Sequence, residues 1–165
     1  MTTQKTAKRS PSKTKSPAIR GPRAGAGARG TSDSKGQLEA LHRSFAIIEF
    51  QMNGTVISAN DNFLRMLGYT LEEIQGRHHS MFVSAEQRES AEYRTCWDRL
   101  GQGQFDSGEY QRVRKDASLA WIQATYNPIL DARGKPVKVI KFAQDITAEK
   151  IRALKAIRIQ SALEK

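Results

Sequence analysis

Two of the three histidines in the chain stand side by side, in Gly76-Arg77-His78-His79-Ser80-Met81-Phe82. An imidazole can bind a metal, serve as the axial ligand of haem, or hydrogen-bond inside a packed turn. Neighbouring residues point in different directions, so His78 and His79 do not readily share one metal; helical metal pairs use spacings such as i, i+4. No cysteine or carboxylate cluster joins them, which argues against structural zinc. A single axial histidine is enough for haem, so haem and a packed turn remain as readings of this segment. The one cysteine, Cys96, rules out an intramolecular disulfide and suits a reducing, cytoplasmic compartment. It is expected to be a small core residue.

Other chemistry is missing from the inventory. There is no Ser-His-Asp pattern and no nucleophile elbow, and the glycines of "GPRAGAGARG" (21–30) do not follow a strand as a phosphate loop must. No enzyme is expected. The net charge of +10 invites a nucleic-acid partner, but its placement argues otherwise. Residues 1–36 hold nine of the 27 Lys and Arg against one acid, Asp33, leaving 18 basic and 16 acidic residues elsewhere. Ile19 is the only large apolar residue in that segment, so residues 1–36 read as a disordered basic tail. Loose contact with an anionic surface is its alternative role, and no specific nucleic-acid partner is expected. No apolar run approaches the ~20 residues of a membrane span.

The elements that must position the histidines follow from periodicity. Leu38, Leu41 and Phe45 share one face of a short helix over 37–45. "AIIEFQ" (46–51) and "TVISAN" (55–60) are strands around Asn53-Gly54, a hairpin signal. Two short helices follow in 59–76. Gly68 ends the first, and Thr70 with Glu73 makes a capping box for the second. Residues 84–103 read as one helix. Runs 105–115, 119–130 and 136–147 are strands, and Lys138 and Lys141 give the last a half-exposed character. Thr147 is the expected N-cap of a final helix over 148–165, whose stripe of Ile151, Leu154 and Ile157 lies among charges. Such a stripe calls for a partner, and a homodimer is expected. The class is α+β, with a five-stranded antiparallel sheet and helices on one face.

Several linked motifs carry a resemblance. Asn53-Gly54 leads to Ala59-Asn60, Phe63 and Leu67-Gly68-Tyr69; Trp97, Leu100, Gly103, Phe105 and Gly108-Glu109 follow in order. "YNPILDARGK" (126–135) and Asp145-Ile146-Thr147 close the set. Together they resemble PAS domains, and among these the modules of bacterial methyl-accepting chemotaxis and aerotaxis-type receptors, including biofilm-dispersion receptors. The resemblance implies a PAS domain over 46–147 with strand order 2-1-5-4-3, flanked by the helices at 37–45 and 148–165. It also implies a sensor of redox state, oxygen or a small ligand. Asp145 and Thr147 would relay the signal into the final helix, toward a downstream signalling domain or a chemotaxis partner protein. A cofactor-free dimerisation or docking module is the alternative.

The same resemblance suggests cofactors without choosing one. His79 best matches a haem-binding position. Trp97 matches a tryptophan of FAD-binding aerotaxis modules, with Asn127 and Trp121 as further candidates for the flavin wall and ring edge. The asparagine-rich motif around the reactive cysteine of light-sensing relatives is absent around Cys96.

Overall fold

The computed structural model describes residues 26–163. Helix α1 spans Ala26–Ser44, and strands β1 (Ala46–Gln51) and β2 (Val56–Ala59) form the first hairpin. Helices α2 (Asp61–Leu67) and α3 (Leu71–Ile74) lead to a 3-10 turn at His79–Phe82, then to α4 (Ala85–Arg88) and α5 (Ala91–Gly101). Strands β3 (Asp106–Val113), β4 (Leu119–Leu130) and β5 (Pro136–Asp145) follow, and α6 runs over Thr147–Leu163. The strands form one antiparallel sheet in the order β2-β1-β5-β4-β3, as expected.

Alternation assigns the two faces. Ile48 and Phe50, Ala120 to Tyr126 at even positions, and Val139, Lys141 and Ala143 are buried toward the short helices. Phe63, Leu67, Ile74, Phe82 and Leu100 pack down onto them. Gly68 closes α2 at φ 80°, and Glu73 accepts from the Thr70 backbone N–H at 2.9 Å. Asn60 fastens this layer to the sheet. Its Oδ1 accepts from the N–H groups of Ile47 (2.9 Å) and Phe63 (3.0 Å), and its Nδ2 donates to the Phe45 carbonyl at 2.9 Å.

The structure departs from expectation at four places. Residues 26–36 belong to α1 rather than to a tail; Ser34 Oγ donates to the Gly30 carbonyl and Gln37 to Asp33, both at i, i+4 spacing. The rest of the expected tail, 1–25, lies outside the described residues. The helix expected over 84–103 is two, because Ser90 accepts from the Tyr93 N–H and starts a second helix at Ala91. Thr147 is the first residue of α6 rather than its cap, and the Asp145 carboxylate accepts from its N–H at 2.9 Å. Lys141 is not half-exposed but 1% exposed, on the inner face of β5. Lys138, one position out of phase, reaches Glu49 at 2.8 Å on the other face.

Asn60→Ala removes one acceptor and leaves two N–H groups without it. Urea unfolding is expected to show a loss of about 2 kcal/mol. Asn60→Asp, which keeps the acceptor, is expected to lose less; equal losses would show that the acceptor is not what fastens the layer.

Candidate functional site

The two histidines serve different purposes. His78 is exposed and caps the 3-10 turn: its Nδ1 accepts from the Ser80 N–H at 3.1 Å, so its Nε2–H donates to the Asn53 carbonyl at 2.9 Å. That contact needs Gly54, where a Cβ would stand 2.6 Å from the His78 ring nitrogen and φ is +86°. The hairpin glycine thus seats the turn as well as the strands.

His79 is buried and held at both nitrogens, Nδ1 2.9 Å from the Tyr93 hydroxyl and Nε2 3.1 Å from the Tyr126 hydroxyl. Arg112 only donates, and it reaches the Tyr126 hydroxyl at 2.9 Å. This favours an arrangement in which the tyrosine donates to His79 Nε2 and Nδ1 carries the imidazole proton toward Tyr93. Burial pushes the His79 pKa well below its usual range, and nearby positive charge adds to this. Burial therefore favours the neutral imidazole. Burial also pushes the Tyr93 hydroxyl up to about 12.

This chain of bonds lines a cavity of about 530 Å³ between α5 and the inner face of β3. Trp97 stands on its helical wall, edge-on to the His79 ring at 5.4 Å between centroids, and Tyr110 and Arg112 rise from β3. Arg112 is 5% exposed, and its guanidinium lies 4.9 Å from the centre of the Tyr110 ring. Cys96 also lines the wall. Burial and the nearby Asp106 carboxylate push its thiol up to about 12, so it is not a thiolate nucleophile.

Among the expected site residues, only His79 and Trp97 come together here. Asn127 and Trp121 sit at odd positions of β4, on the opposite face from Tyr126. Asn127 Nδ2 donates to Thr125 Oγ1 at 3.2 Å instead. Haem needs a free lone pair on His79, and both ring nitrogens are engaged; the residues do not fit it. A flavin would meet Trp97 and Tyr110 as apolar walls, but the amide expected at its ring edge faces away. No group of three or more His, Cys, Asp or Glu among the described residues is placed to hold a metal ion.

Trp121 belongs to a second site, where the sheet meets α6. Its N–H donates to Thr147 Oγ1 at 3.0 Å and its carbonyl accepts from the Ile146 N–H at 2.9 Å. Its ring lies 5.1 Å from Lys150 Nζ. Asp145 accepts from Thr147 and, at 3.0 Å, from Arg114, which also donates to the Met66 carbonyl at the end of α2. Partial burial raises the Asp145 pKa, but the Thr147 and Arg114 bonds outweigh it and hold the carboxyl below its usual value. Asp145 and Thr147 therefore meet at the start of α6. Arg112 and Arg114 went unnoticed in the sequence; Arg112 shares the phase of Gly108 and Tyr110, which also line the cavity.

A family model described as the PAS fold matches residues 56–143. The chain belongs to the PAS fold family. It is 40% identical over 115 residues to the biofilm dispersion protein BdlA of Pseudomonas aeruginosa, which covers 70% of this chain and 28% of that protein. It is 30% identical over 102 residues to the aerotaxis receptor of Escherichia coli, covering 62% of this chain and 20% of that receptor. The chain thus spans less than a third of these curated relatives. Among solved structures, a PAS domain from Colwellia psychrerythraea superposes with a TM-score of 0.61 at 22% identity, over 70% of this chain and 98% of that one. An RNA-binding light-oxygen-voltage receptor gives 0.66 at 22% identity, over 88% and 42%. The match is to a PAS domain of chemotaxis and aerotaxis-type receptors. No helix among the described residues is long and apolar enough to cross a membrane.

Lys141 stands beside this PAS site with no acid against it; its amine lies 4.8 Å from the Tyr126 ring and 5.8 Å from Phe63. Burial pushes its pKa well below the usual value, and the Arg112 charge adds to this. An unfolded lysine keeps its proton to about pH 10.4. Below that value, and above the folded pKa, the unfolded chain binds more protons, so stability rises with pH across the window. Lys141→Met is expected to flatten this rise as the pH approaches about 10 in urea unfolding. A slope that survives the substitution would show that another group carries it.

Proposed function

We propose that the chain is the cytoplasmic sensory module of a chemotaxis-type receptor, in which the α5–β3 cavity is the input and α6 the output. One observation carries this reading: β4 touches both ends of the path. Its Tyr126 stands on the cavity wall, and the backbone of its Trp121 holds Ile146 and Thr147 at the start of α6. A ligand that moves Tyr126 along or across the sheet would bias the Asp145–Thr147 junction, a change of helix position of the kind that two-state relays use. The likeness to the biofilm dispersion protein and the aerotaxis receptor supports a signalling role of this kind.

The output is proposed to act in a pair. Leu38 on α1, and Ile151, Leu154, Ile157 and Ile159 on α6, are all exposed. A second copy covering these stripes would bury them and place two α6 helices side by side for a downstream signalling domain. The stripes equally favour a second reading, a docking module whose cavity takes no part in signalling.

Gly108 lines the cavity, and a Cβ there meets the Tyr110 side chain first, at 3.4 Å. Gly108→Val therefore mimics occupancy without a ligand. Hydrogen exchange in the first turns of α6 is expected to change by about fivefold or more, an ordinary coupling energy. Added Asp145→Ala is expected to abolish the response. Exchange in α6 that ignores Gly108→Val would favour the docking module.

A further inference from the structure

The inference concerns the chemistry of what the cavity holds, and it rests on the reading of that cavity as the input site. The cavity wall contains a guanidinium whose charge no acid meets. Arg112 Nη1 donates to the Gln111 carbonyl at 2.7 Å and Nη2 to the Tyr126 hydroxyl at 2.9 Å, both neutral oxygens. Its Nε is buried and has no hydrogen-bond partner, alone among the buried side-chain polar atoms of the described residues. Removing one donor of a buried charge from water costs free energy unless an acceptor replaces the water.

The neighbouring acids do not supply that acceptor. Asp106 faces the same cavity but is engaged by Arg99 at 3.1 Å and by the Tyr110 hydroxyl at 2.5 Å, with the Cys96 thiol at 3.5 Å. Glu92, on the rim, is exposed. Arg112 lowers the pKa of both His79 and Lys141, so its own charge is the cation behind the cavity.

Shape sets the rest of the ligand. Trp97, Tyr93 and Tyr110 line the same cavity as Arg112, and the volume of about 530 Å³ suits a small organic molecule. We propose that the cavity binds a small carboxylic acid with a flat apolar body, its carboxylate on Arg112 and its ring against Trp97 and Tyr110. A carboxylate matches a guanidinium better than any amide can, because it accepts two charge-assisted bonds from the planar fork.

The test compares acids with their own amides on the unaltered chain. Benzoate, phenylacetate and indole-3-acetate, each against its amide, are titrated by calorimetry while the Arg112 Nε resonance is followed by NMR. Each acid that binds is expected to bind about tenfold or more tighter than its amide, and only acids are expected to move the Nε signal. Arg112→Gln is expected to bring the acids down to the affinity of the amides. The comparison on the unaltered chain stands even if that variant folds poorly. Equal binding of acids and amides, binding by no acid of the set, or discrimination that survives Arg112→Gln would each overturn the proposal. Arg112-dependent binding that leaves hydrogen exchange in α6 unchanged would uphold the carboxylate site and overturn the relay instead.

Discussion

A run of hydrogen bonds from Arg112 through Tyr126 and His79 to Tyr93 joins the short helices to the sheet, beside the Asn60 contacts and the apolar core. Each member comes from a different element: β3, β4, the 3-10 turn and α5. Arg112 can only donate, and that constraint favours a run in one direction, with the His79 proton on Nδ1. Burial keeps His79 neutral. Taking out any member would leave a buried polar group without its partner, at a cost of about 1–3 kcal/mol. The same constraint explains why this histidine is not free for a metal or haem iron, and why the cavity beside it is walled by aromatic rings with a cation behind them.

The sheet order, the Asn53-Gly54 hairpin, the Gly68 stop and the Thr70–Glu73 box were all legible in the sequence, because each is a local pattern with a local cause. The motifs from Asn53 to Thr147 added the family. The site was less legible. Alternation along β4 shows that Trp121 and Tyr126 face opposite ways, but not which of them faces the helices. The structure turns the small and aliphatic set inward, with Ala120, Ile122 and Ala124 beside Tyr126. Asn127 and Trp121 thereby leave the cavity. Lys141 shares the phase of Val139 and Ala143, so its burial was encoded in position, but its charge argued for water and position won. Polar residues over 26–36 hid the first turns of α1, since a helix that buries nothing has no apolar period to show.

What the fold achieves is a separation of two polar centres joined by one strand. On the inner face of the sheet stands the cavity, with Tyr126 of β4 and Arg112 of β3 on its wall. Around the start of α6, acids and bases are matched: Asp145 with Arg114 and Thr147, and Glu109 with Lys150. The first centre is poised to gain an anion, and the second already holds a helix. On the reading proposed above, an electrostatic event inside the core would be coupled to the seating of α6, whose apolar stripe is exposed.

The state of His79 tests this account most directly. A long-range proton–nitrogen correlation spectrum of the imidazoles, recorded near neutral pH, reports charge and tautomer together. His79 is expected to be neutral with its proton on Nδ1, and to stay so as the pH falls below the usual histidine value of about 6.5. A charged ring, or a proton on Nε2, would contradict the direction of the bonds from Arg112 and with it the account of the cavity.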